Sequence, residues 1–160
     1  MPALHKYEAD GGPGIERIMD VLSSSMRVAE DRRDFFKTQL VFWLLAATDG
    51  HAKNFSIVHL PGNQYRSTPL YDVLSAHPII GTGRNRIATQ RVRLAMAVRG
   101  YLINKIQRRH WIAQGRRVGL PAAQVEAMID ALTARTPEVI DEAQQRVATE
   151  LKSEVVYGGS

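Results

Sequence analysis

The sequence contains no cysteine, and this absence excludes disulfide bonds, thiolate zinc sites, iron–sulfur clusters and a cysteine nucleophile. Long hydrophobic runs are also absent: the longest, from Leu40 to Ala47, has eight residues, whereas a helix that spans a bilayer needs roughly 20. The N-terminal stretch MPALHKYEADGG has no apolar signal core behind a basic cap. We therefore expect a cytoplasmic protein without a membrane partner.

Acidic side chains are missing from the middle of the sequence. Residues 1–72 hold eight basic and nine acidic residues, residues 73–125 hold ten and none, and residues 126–160 hold three and seven. The net charges of these stretches are −1, +10 and −4. A stretch this basic is expected to attract phosphates, nucleic acid or an acidic partner. The open alternative is a solvated surface that the acidic C-terminal residues compensate.

The composition is typical of one folded domain. The 160 residues are 44% apolar and 23% charged, and a domain usually holds roughly 100 to 200 residues. Apolar residues recur at helical spacing, and prolines and glycines stand where helices begin and end. These patterns predict a mainly α-helical fold with a small β-hairpin. The predicted helices cover residues 15–22, 31–47, 101–118, 121–134 and 137–155.

The hairpin is predicted from two arms, rich in apolar or β-branched residues, on either side of a Pro-Gly-Asn turn. The first arm is FSIVHL, and the second is QYRSTPLYDV, which is expected to end near Asp72. The run HPIIGTGRN, residues 77–85, has the composition of a loop. The run RVRLAMAV, residues 91–98, fits either a strand or a helix, and its pattern does not decide between them.

Three polar residues form the candidate catalytic set. Asp49 follows the most apolar predicted helix, Asn54 comes five residues later, and Asp72 follows the predicted hairpin. Protein kinases use this order: an Asp accepts the proton of the substrate hydroxyl, an Asn five residues later binds magnesium, and a further Asp after a short hairpin binds the same metal pair. Carboxylate and amide oxygens are hard ligands, which Mg²⁺ prefers.

Each of the three residues also has a structural interpretation. Asp49-Gly50 is a common turn dipeptide, Asn54 could cap the hairpin, and Asp72 could cap a following turn. The three together favour a site, and so does the placement of Asp49 directly after an apolar helix that gives it no other reason to be polar.

Two longer segments resemble a known family. The stretch DGHAKNFS, residues 49–56, and the stretch PLYDVLSA, residues 69–76, are similar almost letter for letter to the two C-lobe motifs of the HipA-type serine/threonine kinase toxins of bacterial toxin–antitoxin modules. The segments KYEADGGPGI, RLAMAVRG and RRHW extend the resemblance over most of the chain. The resemblance implies the helical C-lobe of a protein-kinase-like fold over residues 1–157, with a tail at residues 158–160.

The resemblance also implies roles for individual residues. Asp49 is expected to be the catalytic base, and Asn54 and Asp72 the Mg²⁺ ligands. His51 and Lys53 belong to the same motif and are expected to lie near the phosphates of ATP. For His51 a loop histidine bonded to the backbone is an equal alternative, and Lys53 could instead be solvated. The partners implied are a protein substrate, a HipB-like DNA-binding antitoxin and, through that complex, DNA.

A complete kinase of this type also needs an N-terminal lobe that covers the nucleotide phosphates and supplies a lysine on a strand. The glycine clusters at residues 11–14 and 81–83 are not followed by a lysine-bearing strand. We therefore expect a C-lobe alone, without the N-terminal nucleotide-binding lobe, which a separate N-lobe chain could supply. The isolated chain should bind magnesium nucleotide weakly and transfer phosphate very slowly or not at all.

The alternative function is a binding module. In this interpretation a basic helical domain contacts DNA or an antitoxin, and its kinase residues are vestigial. The ten basic residues between positions 73 and 125 motivate it.

Overall fold

The computed structural model describes residues 5–157, with side chains for residues 5–139, 141, 142 and 145. The backbone of residues 5–157 forms four α-helices, one β-hairpin and several short 3-10 turns. The helices are α1 (Ile15–Leu22), α2 (Val28–Leu44), α3 (Arg108–Arg117) and α4 (Ala122–Tyr157), and the strands are β1 (Ile57–Leu60) and β2 (Gln64–Ser67). The prediction of a mainly α-helical fold with a small hairpin is confirmed. The predicted tail, residues 158–160, lies outside the described residues.

The chain divides into two compact units, residues 1–126 and residues 127–160. The first unit contains α1, α2, the hairpin, α3 and the start of α4, and the second contains the remainder of α4. All of the candidate site residues belong to the first unit. No helix within residues 5–157 combines the length and the apolarity that crossing a membrane requires.

The core of the first unit includes side chains from α2 and α3. Phe36 and Trp111 are both completely buried, and their rings meet edge to face with centroids 5.8 Å apart, an arrangement that aromatic pairs favour. Gly115 lets α3 approach Val125 at the start of α4, because a Cβ at this position would overlap the Val125 side chain. Close packing of this kind gives the loops that follow α2 a rigid base.

The structure corrects the bounds of two predicted helices. α2 begins at Val28 and ends at Leu44, rather than running from 31 to 47. It ends before residue 47 because Ala46 adopts a left-handed backbone conformation with φ 49°. α3 begins at Arg108 rather than at 101, because Gln107 is extended, with φ −128° and ψ 161°, and residues 103–105 form a separate 3-10 turn.

The two helices predicted over 121–134 and 137–155 are one helix, α4, with Pro137 inside it. The prediction of a break was wrong because proline imposes a φ near −65°, which is itself helical. The missing N–H removes one backbone hydrogen bond, and the helix continues past it. Pro121, by contrast, directly precedes the first residue of α4, where a proline is readily accommodated.

The hairpin is shorter than predicted, and the undecided segment after it is irregular. β1 and β2 pair antiparallel, with Ile57 opposite Ser67 and Leu60 opposite Gln64, so the second strand ends at Ser67 and not near Asp72. Residues 91–98 contain neither a strand nor an α-helix, yet most of their apolar side chains are buried. Burial of an irregular segment explains why its pattern matched neither periodicity.

A buried carboxylate fixes the hairpin to α2. Asp31 is 2% exposed and accepts hydrogen bonds from the Ser67 backbone N–H at 2.9 Å and the Ser67 hydroxyl at 2.8 Å. It also accepts a hydrogen bond from the Ser25 hydroxyl. Burial by itself would raise the pKa of Asp31, but the hydrogen bonds from Ser25 and Ser67 outweigh it, and the net result is a lowered pKa. The strand that leads to Asp72 is thereby held in place.

Candidate functional site

The turn after α2 places Asp49 at the surface of the first unit. Ala47 N–H donates to the carbonyl of Phe42 at 2.8 Å and closes the end of the helix. Gly50 then packs directly on the Phe42 ring, where any Cβ would overlap the ring carbons. The chain therefore requires glycine here. The Asp49-Gly50 pair lies in a turn, as the structural interpretation of this dipeptide predicted. The same turn directs the Asp49 carboxylate outward.

The Asp49 carboxylate is 63% exposed and has three polar neighbours on a single oxygen. Its Oδ1 accepts a hydrogen bond from the Tyr7 hydroxyl, lies 3.3 Å from Lys6 Nζ and lies 3.7 Å from His51 Nε2. The hydrogen bond from Tyr7 lowers the pKa of Asp49, against the opposing effect of burial, and Lys6 lowers it further. The group is consequently a carboxylate at neutral pH.

Asn54 and Asp72 are brought together by the structure. Asn54 is 2% exposed, and its Nδ2 donates to Asp72 Oδ2 at 2.7 Å. Its Oδ1 accepts the backbone N–H of His51 at 3.0 Å, which assigns the orientation of the amide. Asp72 has a left-handed backbone conformation with φ 56°, which is uncommon for a residue other than glycine. The two residues lie 18 positions apart in the sequence and share one small site.

A tyrosine that the sequence analysis did not single out supports this arrangement. The Tyr71 hydroxyl lies 2.7 Å from the Ser56 hydroxyl and donates to the carbonyl oxygen of Lys53 at 3.0 Å. These bonds connect the loop that contains Asn54 to the residue preceding Asp72. The segment PLYDVLSA contains this tyrosine, so the resemblance was the signal that could have found it.

His51 and Lys53 lie on the same loop in different surroundings. His51 is 7% exposed, and its ring meets Tyr7 edge to face at 5.5 Å. Its Nδ1 is buried and has no hydrogen-bond partner among the described residues. The side chain of Lys53 is exposed, and its backbone carbonyl accepts a hydrogen bond from the Tyr71 hydroxyl. The predicted roles of both residues near ATP phosphates stay predictions.

Asn54 and Asp72 have the donor chemistry of a magnesium site. Asp72 is exposed at the surface and contributes a carboxylate, and the Asn54 amide oxygen keeps a second lone pair beyond the one that accepts the His51 N–H. Within residues 5–139 and the few described side chains beyond them, no group of three or more His, Asp or Glu residues could hold a metal ion. Protein Mg²⁺ sites commonly use one or two carboxylates with waters and substrate phosphates, so this donor set fits.

The basic middle of the sequence contributes to a groove that residues next to Asp49 also line. A cavity of about 820 Å³ is lined by Arg91, Arg93 and Arg99 together with Tyr7 and Thr48. Two of the arginines in this region already have partners: Arg93 donates to the carbonyl of Gly100, and Arg117 pairs with Glu16 at 3.0 Å. The positive charge is therefore partly compensated by Glu16 near the N-terminus.

Comparisons with known proteins show the family and the fold of this chain. The family model described as "HipA-like C-terminal domain" matches residues 1–140. A solved structure titled "Shewanella oneidensis MR-1 Toxin Antitoxin System HipA, HipB and its operator DNA complex" superposes with a TM-score of 0.76 at 21% sequence identity. The match covers 89% of this chain and 34% of the matched one, so this chain spans about a third of that protein's length. At this identity the likeness shows the fold.

Proposed function

Since the chain belongs to the family of HipA-like C-terminal domains, we propose that it is the catalytic, Mg²⁺-binding lobe of a HipA-type serine/threonine protein kinase. The reaction would transfer the γ-phosphoryl group of ATP to a protein hydroxyl. In this proposal Asp49 accepts the proton of the hydroxyl, and Asn54 and Asp72 hold the metal. His51 and Lys53 would shape the same loop around the phosphates.

The observation that carries the proposal is the 2.7 Å contact between Asn54 and Asp72. A shared metal ion requires these two side chains to lie close together, although the sequence separates them by a hairpin. The contact itself is made by the Asn54 amide nitrogen, so the metal would be held by the Asn54 amide oxygen and the Asp72 carboxylate. Asp49 stands at the start of the same loop with an ionised and exposed carboxylate, which a base needs. When bound, Mg²⁺ would neutralise charge on the phosphate oxygens.

The protein's own residues account for the remaining steps. The Tyr71 hydroxyl holds the loop at the Lys53 carbonyl, so that Asn54 stays oriented toward Asp72. The carboxylate of Asp49 would take the proton of the acceptor hydroxyl as its oxygen attacks the γ-phosphorus, and ADP would leave as the bond from that phosphorus to its bridging oxygen breaks. An N-terminal lobe would contribute further phosphate contacts, and losing one strong electrostatic contact typically costs on the order of 100- to 1,000-fold in rate. The 160-residue chain alone should therefore be almost inactive.

The metal site is tested by calorimetric titration of the 160-residue chain with ATP, with and without Mg²⁺. Binding is expected to require the metal and to disappear in Asp72→Ala. Asp20→Ala removes an exposed carboxylate from α1 and is the matched control, which should bind as the parent does. Identical curves for the parent chain and Asp72→Ala would refute the proposed site.

The catalytic role is tested by phosphotransfer from labelled ATP after adding a HipA-type N-terminal lobe as a separate polypeptide. We expect the mixture to phosphorylate a serine or threonine substrate and the 160-residue chain alone to do so very slowly. Asp49→Asn should abolish transfer and leave the circular-dichroism spectrum unchanged. Activity of this variant equal to that of the parent would show that Asp49 is not the base.

The partners proposed follow the same family. The matched Shewanella structure is a complex of HipA with HipB and operator DNA. We propose a HipB-like antitoxin as the partner of this chain, contact with DNA through that complex, and a cytoplasmic setting. The arrangement is tested in two ways. The chain should co-purify with such an antitoxin, and a DNA pull-down should retain the chain only when the antitoxin is present.

A second candidate function is a basic binding module with vestigial kinase residues. The arginines that line the 820 Å³ cavity favour it. Affinity for DNA or an acidic protein would then fall steeply with salt, since phosphate contacts release counterions. Charge reversal at Arg91 and Arg99 should weaken binding more than Asp49→Asn does. Binding that is insensitive to salt would count against this function.

A further inference from the structure

The N-terminal segment Lys6-Tyr7-Glu8 lies against the candidate base, although 42 residues separate Tyr7 from Asp49. The Tyr7 hydroxyl donates to Asp49 Oδ1, and Lys6 Nζ lies 3.3 Å from the same oxygen. His51 Nε2 is the third neighbour, at 3.7 Å. These three groups are the titratable or charged ones that face Asp49 among the described residues.

The three neighbours leave the two carboxylate oxygens unequal. All of them approach Oδ1, whereas Asp49 Oδ2 has no hydrogen-bond partner among the described residues. A carboxylate held on one oxygen has a defined rotamer, and its other oxygen remains available to accept a proton. If the Asp49 side chain, which is 63% exposed, rotated freely, its Oδ2 would not keep one orientation.

The segment is itself held in place by Glu8. The Glu8 backbone N–H donates to the carbonyl of Ala95 at 3.1 Å, and the Glu8 carboxylate accepts the Ala97 N–H at 2.6 Å. Gly14 leaves space for this carboxylate, since a Cβ there would overlap it. The segments KYEADGGPGI and RLAMAVRG therefore meet at Glu8, and together they determine where Tyr7 lies.

From this geometry we propose that Tyr7 is a positioning residue for Asp49, kept in place by the attachment of Glu8 to residues 95–97. The proposal rests on the proposed function. The Tyr7 hydroxyl holds Oδ1 and orients Oδ2 toward the acceptor hydroxyl. Lys6 reinforces the same orientation from the solvent side.

The contact is tested by NMR titration of the ¹³C-labelled Asp49 carboxylate in the 160-residue chain. In Tyr7→Phe the loss of the hydrogen bond should raise the pKa of Asp49. Tyr65→Phe is the matched control, because the Tyr65 hydroxyl donates to the Val21 carbonyl, and it should leave the pKa of Asp49 unchanged. An unchanged pKa in Tyr7→Phe would overturn the proposal.

The catalytic consequence is tested in the chain supplied with the separate N-terminal lobe. In Tyr7→Phe we expect kcat to fall roughly tenfold, the typical scale of one lost hydrogen bond, with KM for ATP unchanged. The acidic limb of the pH–rate profile should move upward by the shift measured by NMR. An unchanged or higher kcat would overturn the positioning role, and a higher value would identify Tyr7 as a brake on Asp49.

The two proposals fail in different ways. A parent chain that transfers no phosphate with the added lobe contradicts the proposed function, and the NMR titration still decides whether Tyr7 holds the Asp49 carboxylate. Phosphotransfer that is equal in the parent and in Tyr7→Phe contradicts the role of Tyr7 and leaves the kinase proposal intact.

Discussion

At the scale of single residues, the polar groups that matter most in this chain are held by hydrogen bonds from distant residues. Asp31, which is 2% exposed, receives two such bonds from Ser67 and a third from the nearer Ser25, and a buried carboxylate is tolerated only with such partners. Asp49 has the opposite environment, since it is exposed on one oxygen and held on the other. The same residue type is therefore structural in one place and a candidate base in the other.

Replacing Asp31 by Asn should lower the free energy of unfolding at pH 7 by about 1–3 kcal/mol, because the amide cannot accept all the hydrogen bonds that the carboxylate accepts. Asp34→Asn, an exposed change on the same helix that affects only the surface pair with Arg33, should cost less than about 0.5 kcal/mol. Urea unfolding of both variants measures the difference. Equal stabilities would show that Asp31 does not hold the hairpin.

The difference in stability between the parent chain and Asp31→Asn should depend on pH, and the lowered pKa of Asp31 fixes the sign of that dependence. The pKa of Asp31 is lower in the folded protein than its ordinary value, so its contribution is fully present above an unfolded pKa of about 3.9. It is lost as the pH falls through the folded pKa. The difference in stability between the parent chain and Asp31→Asn should therefore shrink on acidification. A difference that grows below pH 4 would contradict the assignment.

At the scale of elements, local sequence patterns identified which elements form better than where they end. The apolar spacing from Ile15 to Leu22 predicted α1, and the Pro-Gly-Asn turn predicted the hairpin. The ends of α2 and α3 differ from prediction, because a helix stops where its backbone meets a tertiary contact. Ala46, for example, leaves the helix and is buried in the core, 2% exposed.

Pro137 is the clearest local signal that the structure overrides, and it provides a test of α4. Pro137→Ala should restore one backbone hydrogen bond inside the helix and stabilise it by up to about 3 kcal/mol. Pro121→Ala precedes the first residue of α4 and is the matched control, for which we expect little change.

Amide hydrogen exchange along residues 130–145 is the measurement for Pro137→Ala, with thermal circular dichroism of the whole chain as a second one. Slower exchange in this range is expected in Pro137→Ala, with exchange in the first unit unchanged. Exchange that is unchanged or faster would indicate that the helix is interrupted at Pro137.

At the scale of the whole molecule, ligand binding should increase the free energy of unfolding. A ligand that binds only the folded state at ten times its Kd adds about 1.4 kcal/mol, which corresponds to a rise in Tm of roughly 3–6 °C for a domain of this size. Mg²⁺ with ATP is expected to produce this rise in the parent chain. Asp49→Asn should retain it and Asp72→Ala should lose it, because Asp72, unlike Asp49, is proposed to hold the metal.

Differential scanning fluorimetry with ATP alone provides the baseline for this comparison. Equal shifts in all three proteins would mean that nucleotide binds elsewhere. Loss of the shift in Asp49→Asn would mean that this carboxylate contributes to binding, which the assignment of Asp49 as a base does not require.

The amino-acid sequence by itself determined the helical class, the hairpin, the family resemblance and the order of Asp49, Asn54 and Asp72. These features depend on periodicity and on short motifs, and both can be read directly from the order of residues in the sequence. The tertiary structure alone decided that Tyr7 meets Asp49, that Asp31 holds Ser67, and that Pro137 lies inside one helix. Contacts across 36 to 42 residues depend on how separate elements pack, and no local periodicity specifies that packing.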